Sequence, residues 1–374
     1  MHWFLEQIKE YYPQEIEKVK PLYHPNEVIR VSENFKFEHL YLLLSVIEHG
    51  GVFFFGRQYD YPEKVQIPSG FILSTSGTTG QAKLVLYSFE KFLEKYRNVK
   101  KNPIKTLMIM GIDHIGGMDT FFSVVSRGGE LIFPKEITPK CIAENIEKHQ
   151  IEFLSLSPSF LNLMLMTNVK DFYDLSSLKK INFGAEVMPV GLLARLKETF
   201  PGVEFCQTFG TTETGTVYVK KHPDNPLLIK IPNSKIIDSK LYIQSSYGMI
   251  EYLGMENPID SDGYFFTGDL VEEYEDGYLR ILGREKDSVN IGGEKIFYQD
   301  VENLLFQLKD VKDAKVYSQE NAILGKILVA DVVWDSDQNI KKKLKEITDN
   351  KYLVPSKINL VERIEFSHRF KKVR

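Results

Sequence analysis

Residues 181–207 read INFGAEVMPVGLLARLKETFPGVEFCQ, which has the pattern of a strand, a helix and a second strand. The short apolar runs at 181–184 and 203–207 predict strands, and the segment 190–199 between them predicts a helix. The same alternation recurs upstream, with strands predicted at 71–75, 106–111, 130–134 and 151–156 and helices at 117–126, at 138–149 and from Pro158 onward. Strands alternating with helices of this length predict a mostly parallel, wound α/β sheet.

The N-terminal segments extend this pattern. Residues 1–34 are polar and aromatic, and we expect a helix followed by irregular chain. Residues 35–49 predict an amphipathic helix that ends at Gly50 and Gly51, because glycine commonly terminates helices. A short buried strand is predicted at 52–55.

A change of pattern after residue 215 divides the chain. Residues 216–283 carry short β segments separated by glycine, aspartate and asparagine, which indicates a β-rich part. Beyond it the strands are expected at 314–318, 326–334 and 358–365 and the helices at 299–308 and 338–349. We therefore predict an α/β protein with a large N-terminal domain of wound parallel sheets, 1–283, and a small α+β C-terminal domain, 284–374.

The composition is that of a globular protein and limits the function. Of the 374 residues, 43% are hydrophobic and 26% are charged, which excludes wholesale disorder. Lys plus Arg, 47, nearly balances Asp plus Glu, 51, so we expect no nucleic-acid partner held by bulk charge. Cys141 and Cys206 form no CxxC pair and no Cys/His ligand spacing, so neither a zinc site nor a disulfide framework is expected.

Neither a signal peptide nor a membrane span is expected from the sequence. The first residues, MHWFLEQIKEYYPQEIEK, carry charges throughout and have no apolar core. The longest apolar runs, such as 40–44 and 52–55, are far too short to cross a bilayer. We therefore expect a cytoplasmic protein.

The segment Thr75–Lys83, TSGTTGQAK, is rich in glycine and small hydroxyl residues. It follows a predicted strand, and we expect a helix after it. Glycines let backbone N–H groups approach an anion, hydroxyls add donors, and Lys83 supplies positive charge. It is not a Walker A motif, because Gln81 and Ala82 separate Gly80 from the lysine. Taken alone, a flexible surface loop is the simpler interpretation.

The segment Thr75–Lys83 resembles the phosphate-binding loop of the acyl-adenylate-forming superfamily. This superfamily contains acyl- and aryl-CoA synthetases, the adenylation domains of nonribosomal synthetases, and luciferases. Residues 113–117, DHIGG, resemble its histidine segment beside the acyl pocket, and the HIGG form is similar to that of o-succinylbenzoate–CoA ligases. Residues 182–186, NFGAE, resemble its turn beside the adenine and the acyl group.

Two further segments resemble the nucleotide site of the family. Residues 209–213, FGTTE, match its (Tyr/Phe)-Gly-x-Thr-Glu, which implies an aromatic ring near adenine, a threonine at the phosphate and Mg²⁺ at Glu213. A carboxylate suits such a hard cation. Residues 267–269, TGD, resemble the segment whose aspartate, here Asp269, accepts both ribose hydroxyls.

The resemblance continues through the hinge and the C-terminal domain. Residues 283–287, GREKD, resemble the hinge motif, whose arginine contacts ribose or phosphate, and the spacing makes Lys286 the pivot. Residues 288–296 resemble a hairpin that swings in to line the pantetheine tunnel. Gly292 and Gly293 would allow close backbone approach there.

The chain ends in a segment that resembles the Gly-Lys-x-x-Arg of the family, in which the lysine serves adenylation. Lys371 and Arg374 have this spacing, although Phe370 replaces the glycine. Lys372 is the rival for the same role. A solvated basic tail is the alternative interpretation.

Each segment alone also has an ordinary structural interpretation. His114 fits a loop histidine, Asp269 a β-turn aspartate, the Thr-Glu pair a helix start, and residues 283–287 a charged linker. The family order of these segments over residues 71–374 favours the resemblance.

The resemblance implies two half-reactions. A carboxylic acid first attacks the α-phosphorus of ATP, in the presence of Mg²⁺, and gives acyl-AMP and pyrophosphate. The small, mobile C-terminal domain then rotates about Lys286, and the thiol of CoA attacks the acyl carbonyl. Loading of an acyl or amino acid onto a carrier-protein phosphopantetheine is the alternative. A degenerate, non-catalytic nucleotide-binding or scaffold protein is the second alternative.

The candidate site residues follow from these matches. The expected catalytic residues are Lys371, Glu213 and His114, with Glu213 as the metal ligand and Lys286 as the hinge. The residues expected to bind nucleotide or CoA are Thr75, Ser76, Gly77, Thr78, Thr79, Gly80, Lys83, Gly184, Ala185, Glu186, Phe209, Gly210, Thr211, Thr212, Asp269, Arg284, Gly292 and Gly293. The substrate is expected to be a small carboxylic acid, compatible with an apolar or aryl acid.

The chain is short for this family before Thr75. We expect the helix at 35–49 and the strand at 52–55 to be the remnant of the first subdomain. The sequence therefore predicts a more open acyl site, or a homo-oligomer or partner protein that fills the gap.

Overall fold

The computed structural model describes residues 1–16, 19, 28–31, 38–55, 65–75, 83–321, 325–367 and 372. The α-helices in these ranges are α1 (His2–Tyr11), α2 (Pro13–Ile16), α3 (Glu38–His49), α4 (Phe89–Glu94), α5 (Ile115–Val125), α6 (Pro139–His149), α7 (Pro158–Met166), α8 (Val190–Thr199), α9 (Tyr298–Gln307) and α10 (Ile340–Ile347). The strands are β1 (Val28–Val31), β2 (Gly51–Phe55), β3 (Ser69–Ser74), β4 (Leu84–Ser88), β5 (Lys105–Leu107), β6 (Glu130–Ile132), β7 (Phe153–Leu156), β8 (Lys180–Phe183), β9 (Glu204–Gln207), β10 (Phe209–Thr211), β11 (Gly215–Val217), β12 (Lys220–Lys221), β13 (Ile229–Lys230), β14 (Ser234–Ile237), β15 (Lys240–Ile243), β16 (Glu251–Tyr252), β17 (Phe265–Glu273), β18 (Leu279–Arg284), β19 (Ser288–Ile291), β20 (Glu294–Phe297), β21 (Val311–Asn321), β22 (Gly325–Trp334) and β23 (Lys357–Leu360).

The first sheet has the strand order β1-β2-β3-β4-β16. Its first three strands are parallel, whereas β4 and β16 each run antiparallel to their neighbour. β1 lies within the stretch that the sequence led us to expect as irregular. Helices α1, α3, α4 and α5 cover one face, where Phe4, Phe71 and Phe122 are buried in one core. Val52 and Phe54 belong to a separate core.

The prediction of a helix after Lys83 is wrong, because Leu84–Ser88 forms β4. Residues 84–87 are buried, and the strand pairs with β3 along its whole length, from Gly70 opposite Ser88 onward. Continuous burial of aliphatic and aromatic side chains stabilises a strand between two sheet neighbours. The segment Thr75–Lys83 therefore connects two antiparallel strands, and no helix dipole follows it.

The second sheet confirms the predicted wound parallel architecture. Its strands have the order β6-β5-β7-β8-β9, and every neighbouring pair is parallel. Helices α6 and α7 begin with proline, and the preceding Thr138 and Ser157 accept hydrogen bonds from backbone N–H groups of the first turn. Such caps satisfy donors that the helix itself leaves unpaired.

The third sheet is antiparallel, with the order β12-β13-β18-β17-β15-β14. It lies in the region expected to be β-rich. One segment of that region differs, because β16 pairs with β4 of the first sheet, with Glu251 opposite Leu86 and Tyr252 opposite Val85. This pairing brings Tyr252 to the segment Thr75–Lys83.

Residues beyond Arg284 form the hairpin β19–β20 and a sheet of order β21-β22-β23 with α9 and α10. α9 packs against α8 of the second sheet. The second sheet and the residues beyond Arg284 share one hydrophobic core, which includes Leu192, Leu196, Val301 and Leu305. The boundary between residues 283 and 284 stays a prediction. Within the described ranges, no helix combines the length and apolar character needed to cross a membrane.

Candidate functional site

A cavity of about 1220 Å³ lies where the sheets and the C-terminal region meet. It brings together most of the described residues that the sequence singled out. Its walls include Thr75, Lys83, His114, Ala185, Glu186, Phe209, Gly210, Thr211, Thr212, Glu213, Asp269, Arg284 and Lys286.

The two ends of the segment Thr75–Lys83 are bonded to each other at the cavity. The Thr75 backbone N–H donates to the Lys83 carbonyl at 2.9 Å, and the Lys83 N–H donates to the Thr75 hydroxyl at 3.2 Å. Ser76, Gly77, Thr78, Thr79 and Gly80 lie outside the described residues. The paired ends hold the entry and exit of the segment at one side of the cavity.

Thr211–Gly215 forms the tip of the β10–β11 hairpin. The Thr211 hydroxyl accepts hydrogen bonds from the backbone N–H groups of Glu213 and Thr214 at 3.2 and 3.1 Å. The side chains of Thr211 and Thr214 are buried. The Thr–Glu pair is therefore part of a hairpin, and Glu213 leaves it toward the cavity.

Tyr87 of β4 and the connection between β15 and β16 anchor the hairpin tip from outside. Tyr87 of β4 donates its hydroxyl to the Thr212 carbonyl at 2.7 Å, and the Ser245 hydroxyl donates to the Thr214 carbonyl at 2.7 Å. The Met249 N–H donates to the Glu213 carbonyl at 2.8 Å. These bonds fix the position of Glu213 relative to both the first and the third sheet.

Tyr252 connects Glu213 to the segment Thr75–Lys83. Its hydroxyl donates to Glu213 Oε1 at 2.7 Å, and Lys83 Nζ lies 4.7 Å from the centre of its ring. Burial raises the pKa of the Tyr252 phenol above its ordinary value, and the Glu213 carboxylate raises it further. The phenol therefore stays protonated and remains a hydrogen-bond donor.

Asp269 and Arg284 face each other on paired strands. They occupy opposite positions of β17 and β18, and Arg284 Nε lies 3.1 Å from Asp269 Oδ1. The Arg284 guanidinium also donates to the Thr267 carbonyl at 2.5 Å. Asp269 is buried, whereas the arginine side chain is 42% exposed. The pair presents a buried carboxylate and a partly exposed cation to the cavity.

The turn after β8 brings Ala185 and Glu186 to the wall. A Cβ on Gly184 would lie 2.4 Å from the Thr208 hydroxyl, so only glycine fits this approach. Gly184 is not part of the wall itself. Ala185 has φ 68°, which is unfavourable for a residue with a Cβ and is typical of functional turns. Glu186 Oε2 accepts from the Ser159 N–H at 3.1 Å.

His114 caps α5 at the same cavity. Its Nδ1 accepts from the Gly116 N–H at 3.0 Å. This bond orients the imidazole and leaves Nε2 on the far side of the ring.

Lys372 enters the wall from the chain terminus. Its Nζ lies 2.9 Å from Asp313 Oδ1, and its backbone N–H lies 3.4 Å from Glu186 Oε1. Burial lowers the pKa of the amine, but the carboxylates of Asp313, Glu302 and Glu186 more than offset this and raise it above its ordinary value. Lys371 lies outside the described residues.

Two predicted residues lie apart from the cavity. Gly292 and Gly293 form the turn of the β19–β20 hairpin and do not contribute to the wall. Both have positive φ, and a Cβ on Gly292 would meet the Tyr352 ring at 2.6 Å. In this arrangement the hairpin packs within the C-terminal region.

The metal-ligating side chains of the cavity suit an Mg²⁺ ion bound to a nucleotide better than a metal ion held by the protein alone. Among the described residues, no group of three His, Cys, Asp or Glu side chains could enclose a metal ion. Mg²⁺ bound to phosphates needs only one or two protein carboxylates, since phosphate oxygens and water supply the rest. Glu213 offers such a carboxylate beside Thr212.

Residues 63–235 match the AMP-binding enzyme family. These residues make up less than half of the chain. The chain is similar to the 2-succinylbenzoate–CoA ligases of Staphylococcus epidermidis and of Staphylococcus aureus strain Newman, to each of which it is 25% identical. The aligned part covers 79% of this chain and 66% and 64% of those proteins, so the chain spans less than two thirds of their length.

Solved structures with low sequence identity share the fold. The ATP-bound MatB from Rhodopseudomonas palustris has a TM-score of 0.79 at 17% identity, covering 98% of this chain and 90% of that one. The o-succinylbenzoate CoA synthetase from Bacillus subtilis, in complex with its acyl-adenylate intermediate, has a TM-score of 0.72 at 17% identity, covering 99% and 91%. The chain thus shares the fold of these structures, with a large N-terminal and a small C-terminal domain.

Several residues of the cavity wall carried no signal in the sequence. Tyr252 lies on a two-residue strand, too short for a periodic pattern. Ser159, Asn162 and Gln299 also line the cavity. They lie in the first two turns of α7 and α9 and belong to no motif. Lys372, by contrast, was considered beforehand as the rival of Lys371.

Proposed function

We propose that the protein is an AMP-forming acid–thiol ligase, which activates a small carboxylic acid with ATP and transfers it to a pantetheine thiol. The observation that supports this most is the convergence of Lys83, Glu213, Asp269 and Arg284 on one cavity. Cations, a metal-binding carboxylate and a ribose acceptor are the groups that a Mg·ATP site needs. They occur in a chain whose residues 63–235 match the AMP-binding enzyme family.

In the first half-reaction, the substrate carboxylate attacks the α-phosphorus, the bond to the β-phosphate bridging oxygen breaks, and pyrophosphate leaves. No side chain acts as nucleophile, so the protein positions reactants and stabilises charge. The segment Thr75–Lys83 would hold the pyrophosphate, and Asp269 and Arg284 would hold the ribose. Glu213 and the phosphates would hold Mg²⁺, which neutralises charge on the leaving pyrophosphate.

The adenylation lysine is proposed to be Lys371. The Nζ of its rival, Lys372, is already bonded to Asp313 and to the Ala314 carbonyl. A lysine held in this way would have to leave a buried carboxylate behind in order to reach substrate. We expect Lys371→Ala to abolish adenylation and to leave thioester formation from supplied acyl-AMP largely intact. Equal loss of both half-reactions would count against this assignment.

The second half-reaction is proposed to follow rotation of residues 284–374 about Lys286. The residue lies in the turn between β18 and β19, where the Asp287 N–H donates to the Arg284 carbonyl at 2.9 Å. Rotation would remove Lys371 and bring residues 288–296 to the cavity. We expect Lys286→Pro to stall thioester formation and to spare adenylation.

The acceptor is proposed to be CoA. The curated relatives are named as CoA ligases, which supports CoA over a carrier protein. The acid is proposed to be apolar or aromatic, and 2-succinylbenzoate belongs in any test because those relatives are named for it.

ATP–pyrophosphate exchange with a panel of aryl, aliphatic and dicarboxylic acids tests the proposal. We expect exchange with at least one acid, and loss of exchange in Glu213→Gln. Glu251→Gln is the matched control, because this exposed carboxylate neighbours Tyr252 but does not line the cavity. Tight ATP binding without exchange for any acid would instead identify a non-catalytic nucleotide-binding protein. Thioester formation with CoA and with a phosphopantetheinyl carrier then separates the two acceptors.

A further inference from the structure

Tyr252 occupies an unusual place between the two sheets that form the cavity. It lies on the two-residue strand β16, which leaves the β-rich region and pairs with β4 of the first sheet. The side chain is 3% exposed, yet it lines the cavity. Its hydroxyl contacts Glu213 and its ring contacts Lys83, both of which are candidate site residues.

Its two contacts use different parts of the side chain. The hydroxyl donates to Glu213 Oε1 at 2.7 Å, while the face of the ring lies 4.7 Å from Lys83 Nζ. A hydrogen bond to a carboxylate is among the stronger kinds, and a cation over an aromatic face is attracted by the ring. One side chain therefore couples the metal-binding carboxylate to the lysine of the segment Thr75–Lys83.

The chemistry of the bond suits a ligand held ready for a cation. A phenol is a neutral donor, so it orients the Glu213 carboxylate without neutralising it as an ammonium or guanidinium group would. The hydrogen bond occupies one carboxylate oxygen of Glu213, and in this arrangement the second oxygen would bind the metal ion.

We propose that Tyr252 is a positioning residue, which orients Glu213 for Mg·nucleotide and keeps Lys83 beside it. This proposal rests on the proposed function, because it assumes that Glu213 binds the nucleotide's metal ion. It adds a residue that no sequence motif indicated.

The test separates the hydroxyl from the ring. Tyr252→Phe retains the ring and its contact with Lys83 but removes the donor to Glu213. Tyr274→Phe is the matched control, because the Tyr274 hydroxyl donates to Glu272 at 2.8 Å on an exposed surface away from the cavity. Binding of Mn²⁺ in the presence of a non-hydrolysable ATP analogue, followed by electron paramagnetic resonance, reports the metal site without turnover.

We expect Tyr252→Phe to weaken Mn²⁺ binding by about 10- to 100-fold, the range for loss of an outer partner of a metal ligand. Tyr274→Phe is expected to leave the affinity unchanged. In a Glu213→Gln background the Tyr252 substitution should have no further effect, because the metal-binding carboxylate that Tyr252 orients is already gone. Tyr252→His, which keeps a ring and an N–H donor, should recover part of the affinity.

The outcomes separate the two proposals. Unchanged Mn²⁺ affinity in folded Tyr252→Phe would overturn the role of Tyr252, even in an enzyme that exchanges pyrophosphate. Additive losses from the Tyr252 and Glu213 substitutions would overturn it as well. If Tyr252→Phe does not fold, the Tyr252→His variant decides, and wild-type-like melting with a 100-fold loss of affinity would contradict the proposal. Absence of exchange in the unmodified protein bears on the proposed function alone.

Discussion

The buried pair of Lys372 and Asp313 should be essential for the stability of the C-terminal region. The Nζ–Oδ1 distance is 2.9 Å, and the two side chains are only 9% and 2% exposed. Asp313 lies on β21, whereas Lys372 comes from the chain terminus and also contacts Glu186. Lys372→Met keeps the length of the side chain and removes its charge, so Asp313 stays buried without its cation.

The magnitude follows from burial. Removing one partner of a buried ion pair typically costs about 3–5 kcal/mol, because the remaining charge stays desolvated. With a urea m-value of about 2 kcal/mol/M, a loss of this size lowers the unfolding midpoint by about 2 M. The double variant Asp313→Asn, Lys372→Met removes both charges and should recover most of the loss.

The chain offers a specific probe for this measurement. Its two tryptophans are Trp3, on α1, and Trp334, on β22 next to β21. In a Trp3→Phe background, urea unfolding followed by fluorescence reports the C-terminal region through Trp334. A shift of less than about 0.5 M for Lys372→Met, far below the cost of a buried unpaired charge, would refute the reasoning. A double variant as unstable as the single one would do the same.

Three further outcomes are expected. Asp269→Asn should weaken binding of a fluorescent ATP analogue by about 10-fold or more, because the amide replaces one of the two acceptor oxygens by a donor. Equal affinity of the variant and the unmodified protein would remove Asp269 from the ribose site. Gly191→Ala should loosen the α8–α9 contact, because the added Cβ would lie 2.2 Å from the Phe306 carbonyl oxygen. Limited proteolysis near residues 285–287 should then become faster, and an unchanged rate of cleavage would contradict this prediction. The raised pKa of Lys372 predicts stability that is complete below its unfolded value of 10.5 and is lost as the pH rises above it, so Lys372→Met should flatten the alkaline part of the Trp334 unfolding profile.

Much of the second sheet could be predicted because its signals are local. α8 spans Val190–Thr199, the range indicated by its periodicity, and α6 and α7 begin at the prolines that follow capping residues. Such features depend on contacts within a few residues, so they can be read from a short window of sequence.

The candidate site could be predicted only through the resemblance to a family. That resemblance implied one nucleotide site for Lys83, Glu213, Asp269 and Arg284, whereas their spacing along the chain does not indicate a common cavity. The first sheet, the β10–β11 hairpin and the third sheet each contribute one part. Their convergence is a property of how these sheets pack.

Local patterns alone determined which segments are helices and strands in the wound sheet, and a resemblance to a family indicated which residues carry chemistry. The tertiary structure decided that Leu84–Ser88 is a strand, that Tyr252 joins the first sheet and that Asp313 receives Lys372. The physical reason is the same in each case. Strand pairing and burial of a charge are stabilised by partners distant in sequence, and no local propensity encodes which partner arrives.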